Sequence, residues 1–179
     1  MKTTLISQFK PTILFLVKFL GMYIAGSLLY GWFITYYSPA PDPVTIWVTN
    51  QVAFLIRIFG WNVTAMYSEF IPTVSVVLDV KSIISVYEGC NGLNVVIIFW
   101  SFLFAFGPWG KRLGIFAIAG ACIIHVANLV RVCVLFFVAY YYSGALYFFH
   151  KYLFTAAIYV VVLLLWMWWI RNVKNHESI

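Results

Sequence analysis

The chain has 179 residues, of which 64% are hydrophobic and only 9% charged, against about 45–50% apolar and about 25% charged in ordinary soluble domains. A body this small cannot hide that much apolar surface from water, which excludes a cytosolic domain, a disordered chain and a secreted disulfide scaffold. The formal charge of +6, from 11 Lys plus Arg against 5 Asp plus Glu, is informative through its placement, because cations mark the cytoplasmic loops of a lipid-embedded chain.

The predicted fold is an all-α integral membrane bundle of about four transmembrane helices in a single membrane domain, 1–179, with an interfacial helix and a small β-hairpin-like segment on the outer side. A crossing needs about 20 apolar residues. The first predicted span is 12–34. Its apolar run continues through Leu28, Leu29, Trp32 and Phe33, longer than a signal-peptide core, which favours a retained anchor despite the small residues Ala25 and Ser27. Lys18 lies near enough its start to snorkel to the headgroups.

The segment 35–89 is predicted to be external and opens on the helix-breaking run Ser38-Pro39-Ala40-Pro41-Asp42-Pro43. Val44 to Phe59 mixes Trp47, Phe54, Leu55, Ile58 and Phe59 with Asn50, Gln51 and Arg57. That pattern suits a helix lying in the outer interface or dipping into the bundle. From Val63 to Tyr87 the β-branched content rises, and Val76, Leu78 and Val80 alternate with Val77, Asp79 and Lys81. Such alternation predicts a β-hairpin. Spans two, three and four are predicted at 91–109, 113–131 and 150–170.

Lys2 and Lys10 precede span one, Lys111 and Arg112 join spans two and three, and Arg171 and Lys174 follow span four. Placed inside, they make both termini and the 110–112 turn cytoplasmic, with Asp42, Glu69, Asp79 and Glu88 outside. The expected location is the plasma (inner) membrane, multi-pass, in contact with membrane lipid. Cys90, Cys122 and Cys133 are too few for a disulfide framework, and no CxxC or His-rich tract suggests a metal or other cofactor. The basic residues are split among loops and form no nucleic-acid patch.

Counting from the inner basic edge, Cys90 is 21 residues before Lys111, Arg131 is 19 after Arg112, and His150 is 21 before Arg171. These separations are about 28–32 Å, one hydrocarbon thickness. The three residues therefore fall at one height, near the outer rim, on different helices. A thiol is mostly protonated at neutral pH, and a neighbouring cation favours the thiolate. His150 suits a general base and acid, and the fixed donor fork of Arg131 suits a thiolate, an oxyanion or a carboxylate. The set is predicted to be catalytic, for acyl transfer through a thioester, with an activated Cys90 that alkylates faster than an ordinary thiol.

In Glu88-Gly89-Cys90-Asn91-Gly92-Leu93 two glycines flank the thiol and put it at a predicted helix start, where backbone N–H groups favour anions. Asn128 lies one turn before Arg131 and is expected to orient the guanidinium or bind substrate. Glu88 is a surface acid or a tautomer-setting partner for His150. Glu88, Asn91, Gly92 and Asn128 are the predicted supporting or substrate-binding residues. The bland alternatives are a packing cysteine, a snorkelling arginine and an interfacial histidine beside Lys151. His125 lies deeper and reads as a structural hydrogen-bonding group, and Cys122 as a core residue. Cys133, also near the rim, is a possible disulfide partner for Cys90.

Glu88-Gly89-Cys90-Asn91-Gly92-Leu93, then Asn128-Leu129-Val130-Arg131, then His150 at the start of a late helix, together resemble the exosortase/archaeosortase family over about 87–170. The resemblance implies a membrane cysteine peptidase or transpeptidase with Cys90 as nucleophile and Arg131 and His150 beside it. The implied partner is an exported protein whose C-terminal sorting signal combines a short motif, a transmembrane helix and a basic tail. The enzyme would cleave at the outer face and pass the acyl group to an acceptor. Longer family members have about eight spans, so this chain resembles the short, stand-alone ones. Two other classes compete: a small transporter or channel subunit using Arg131 and His150, and a non-catalytic assembly partner.

Overall fold

A computed structural model describes residues 5–177, with side chains described from 9 to 173. Lys2 lies outside the described residues, as do the side chains of Lys174 and His176. Helix α1 (Leu5–Tyr37) leads into α2 (Pro43–Ile58). Strands β1 (Val63–Tyr67), β2 (Thr73–Leu78) and β3 (Lys81–Tyr87) follow, then α3 (Leu93–Phe106) and α4 (Lys111–Tyr141). A short helix, α5 (Leu146–Phe148), passes through a π-helical turn, Phe149–Leu153, into α6 (Phe154–Glu177).

Among the described residues, three stretches are helical and apolar for long enough to cross a membrane: Phe9–Tyr37, Lys111–Tyr141 and Ser143–Val173. Helix α3 is apolar but has 14 residues, about 21 Å, where span two was expected over 91–109. Gly92 at its start and Gly107-Pro108 at its end shorten it. Helix α4 departs the other way. Expected to stop at Arg131, it runs to Tyr141, because no breaker precedes Ser143-Gly144. Arg131 is therefore inside a helix and not at its end.

Chain direction gives the bundle two distinct ends. The Phe15 ring of α1 meets Phe102 and Phe106 of α3 at 5.6 and 6.1 Å. Tyr30, further along α1, bonds to the loop before α3. The two helices are thus antiparallel, and Lys10 shares an end with Lys111 and Arg112. Trp169 of α6 stacks on Phe116 of α4 at 4.9 Å, which brings Arg171 to the same end. Cys90 lies at the other.

Two apolar cores correspond to these ends. Phe99, Leu103, Phe116, Ile124 and Val162 join α3, α4 and α6. Val48, Val52, Ile56, Val76, Val86, Val132 and Phe136 join α2 and the sheet to the second half of α4. Helix α2 starts sharply because Asp42 caps it. Its Oδ1 accepts from the Val44 and Thr45 amides at 2.9 and 3.0 Å, and Pro43 occupies the first turn, where no N–H is needed. Its buried face is Thr45, Val48, Thr49, Val52, Ala53 and Ile56, so it packs inward along a full side.

The predicted hairpin is a three-stranded antiparallel meander in the order β1-β2-β3. Asp79 turns β2 into β3 with φ 54°, leaving Val80 97% exposed and outside the strand alternation. A bulge at Val76/Val77 lets both of those residues be buried. Strand β1 escapes the pattern because only Val63 of its five residues is buried.

Candidate active site

Cys90 closes a 3-10 turn, Glu88–Cys90, between β3 and α3, and is 4% exposed. His150, 60 residues later, comes from the π-helical turn before α6, and its Nε2 lies 3.3 Å from the Cys90 Sγ. Arg131 approaches from within α4. Its charge reaches the thiol, while its Nε–H is buried without a hydrogen-bond partner. The three side chains assigned to one height thus belong to one neighbourhood, in which thiol and imidazole are in contact.

Electrostatics correct one expectation. Burial pushes the Cys90 thiol up, and the Arg131 guanidinium and the Tyr87 hydroxyl only partly pull it back. The net direction favours the thiol, where a neighbouring cation was expected to favour the thiolate. Tyr87 is raised in turn, first by the negative charge that Cys90 carries when ionised. The helix-start expectation also changes. Cys90 precedes the first residue of α3, and the Leu93 amide is already taken by the Asn91 Oδ1 at 2.9 Å.

The loop around the thiol is fastened from several sides. Asn128, fully buried, donates from Nδ2 to the Cys90 carbonyl at 2.9 Å. It therefore positions the nucleophile's backbone, and its Oδ1 is left without a partner. Both N–H donors of Asn91 are used, one to Tyr30 Oη at 2.9 Å and one to Thr45 Oγ1 at 3.1 Å. The Tyr30 hydroxyl donates to the Glu88 carbonyl at 3.0 Å, and Thr45 donates to Asp42. Asn91 is a clasp between the loop, α1 and α2, with no donor left for a substrate. Glu88 contributes its carbonyl to that clasp, and the His150 Nε2 faces sulfur and not Glu88.

The glycines serve the protein's own side chains. Gly92 has φ +88°, and a Cβ there would stand 3.2 Å from the Asn128 Cγ. A Cβ on Gly89 would stand 2.4 Å from the Tyr87 ring. Tyr87 and Asn128 thus account for glycine at both positions.

The other candidates sit apart. His125 bonds Gln51 at 2.8 Å and stacks on Trp47 at 4.8 Å, as a structural group would. All three cysteines are free thiols, and Cys122 is exposed, not in the core. Lys151 bonds the Tyr147 hydroxyl at 2.6 Å. A cavity of about 210 Å³ opens beside Cys90 and His150. A larger one of about 710 Å³ lies at the opposite end, against Lys111, Arg112 and Trp169, and contains none of the candidate residues.

Sequence reasoning missed Tyr87 and the Asp42–Thr45–Asn91–Tyr30 chain. Asp42-Pro43 carried a readable helix-cap signal, whereas nothing in the sequence brings Tyr30 to the loop. Comparison with curated proteins and with solved structures returns no match. Residues 5–169 match the family model of transmembrane exosortases, and with most of its length inside that match this membrane protein belongs to the transmembrane exosortase family.

Proposed function

We propose that the chain is a cysteine-dependent peptidase or transpeptidase that cleaves C-terminal sorting signals of exported proteins. The observation that carries this reading is the 3.3 Å contact between the Cys90 Sγ and the His150 Nε2, made between residues far apart in sequence and beside a guanidinium whose Nε–H is unused. In the first step His150 takes the thiol proton and sulfur attacks the peptide carbonyl carbon. The carbonyl oxygen becomes an oxyanion, which the Arg131 fork stabilises. The C–N bond then breaks, the imidazolium returns its proton to the leaving amine, and a thioester to Cys90 remains. Water or an acceptor amine displaces the sulfur and regenerates the thiol.

The topology that serves this chemistry has four crossings, with α3 the short second one, both termini cytoplasmic and Cys90 on the outer side. Lys10, Lys111, Arg112 and Arg171 share the end away from Cys90, as the positive-inside bias requires. A substrate helix lying beside the bundle would hold its juxtamembrane peptide at the thiol and replace a diffusional search.

The transporter and assembly-partner alternatives give the thiol–imidazole contact no task. The decisive experiment co-expresses a candidate substrate with the wild type and with Cys90→Ala and compares the substrate's size. Shortening by the wild type alone is expected, with equal membrane insertion of both enzymes. Equal shortening by Cys90→Ala ends the enzymatic reading.

A further inference from the structure

Strand β3 is an edge strand. One side pairs with β2, and among the described residues no strand lies on the other. The cavity of about 210 Å³ lies between residues 83–86 of β3 and Val132 and Leu135 of α4, and is closed by Cys90, Leu146 and His150. Consecutive strand residues send their side chains to opposite faces. Val86 is buried in the core, while the Ser85 hydroxyl meets that of Ser75 on the exposed face. The cavity therefore borders residues of both faces of β3, whose unpaired edge presents N–H and C=O groups at alternate residues. The same space is bounded by Cys90. Strand β3 ends at Tyr87, just before the turn that contains Cys90, so a chain laid along it runs beside the residues that lead into the thiol.

We propose that the peptide segment preceding the substrate's transmembrane helix adds to β3 as a further strand, seating one uncharged apolar side chain in the cavity beside Cys90. This rests on the peptidase reading above and names how that site takes its substrate. Main-chain bonds to a sheet edge give affinity with little regard to sequence, and a side-chain pocket supplies the selection. Among the described residues no lysine, arginine or carboxylate bounds the cavity. A charged side chain there would lose its water and gain no partner.

The test is a library in which a randomised segment of about eight residues precedes an apolar helix of about 20 residues and a basic tail. It is co-expressed with the wild type or with Cys90→Ala, and the cleaved members are sequenced. The expected result is Cys90-dependent cleavage with proline depleted about tenfold at alternate positions only, because proline has no N–H to give to the ladder. One position should favour Val, Ile or Leu and exclude charged residues. Leu146→Phe narrows the cavity and should move that one position toward Ala, leaving the proline pattern unchanged. Cys90-dependent cleavage with proline equally tolerated at neighbouring positions, and no effect of Leu146→Phe, sinks edge pairing and leaves the peptidase standing. If no member is cleaved in a Cys90-dependent way, the peptidase reading falls and edge pairing falls with it.

Discussion

Arg131 is expected to do two separable things: lower the thiol pKa by its charge, and donate from a planar fork to an oxyanion. Two substitutions distinguish them. Arg131→Gln removes the charge. Burial already holds the Cys90 thiol above its ordinary range, with Arg131 the largest opposing influence. Losing the cation therefore raises the pKa further. A nearby opposite charge shifts such a group by about one unit or more, about 1.4 kcal/mol, so alkylation of Cys90 below its pKa should slow about tenfold and the whole pH profile should move to higher pH. Arg131→Lys keeps the charge but loses the fork, including the Nε–H that is buried and unpartnered. Its alkylation profile should stay near that of the wild type, while substrate processing falls about 10²–10³-fold, the usual effect of losing one oxyanion donor. The assay is the rate of iodoacetamide modification against pH in a Cys122→Ala, Cys133→Ala background, run beside substrate processing. An Arg131→Gln profile superimposed on the wild type would refute the electrostatic role. Wild-type processing by Arg131→Lys would refute the fork.

Further expectations concern what holds the nucleophile. Asn128→Ala leaves the buried Cys90 carbonyl without its 2.9 Å donor, which should lower stability by about 1–3 kcal/mol, seen as a lower Tm of the detergent-purified protein. An unchanged Tm would count against the bond. Gly92→Ala meets φ +88° and the Asn128 side chain at once. The left-handed backbone alone costs about 1–2 kcal/mol, so processing should fall while membrane insertion persists, and full processing would show that the loop relaxes freely. Asp42→Ala removes the α2 cap and the acceptor for Thr45, with an expected loss of about 0.5–2 kcal/mol. Asp42→Asn retains a capping oxygen and should fall between the two in thermal unfolding.

The proximity of Cys90, Arg131 and His150 was legible because it was reached with a ruler. Counting 1.5 Å per residue from Arg112 to Arg131 holds wherever α4 ends, so an error of ten residues in the predicted helix end, 131 against Tyr141, left the depth of Arg131 unchanged. Composition and charge likewise disclosed a membrane chain before any element was assigned. Contacts that close over long separations were not legible. Tyr30 joins Asn91 across 61 residues, and no periodicity encodes that pairing. Strand β1 hid for a different reason: with one buried residue it lacks the alternation that betrays a strand. The glycines beside Cys90 were visible, but their cause was not, since Tyr87 and Asn128 come against them only in the fold.

Activation of the thiol was misjudged for a reason that bears on how such a site works. The sequence supplied the sign of the nearby charge but not the depth of burial, and here burial wins. A sulfur pushed toward its thiol form lies in contact with an imidazole, beside a guanidinium with an idle Nε–H. On the peptidase reading, an incoming carbonyl supplies what both groups lack: an electrophile for the sulfur and an acceptor for the guanidinium. Proton transfer to His150 then becomes worthwhile only in its presence, as expected of a site whose interactions strengthen toward the transition state and not before it.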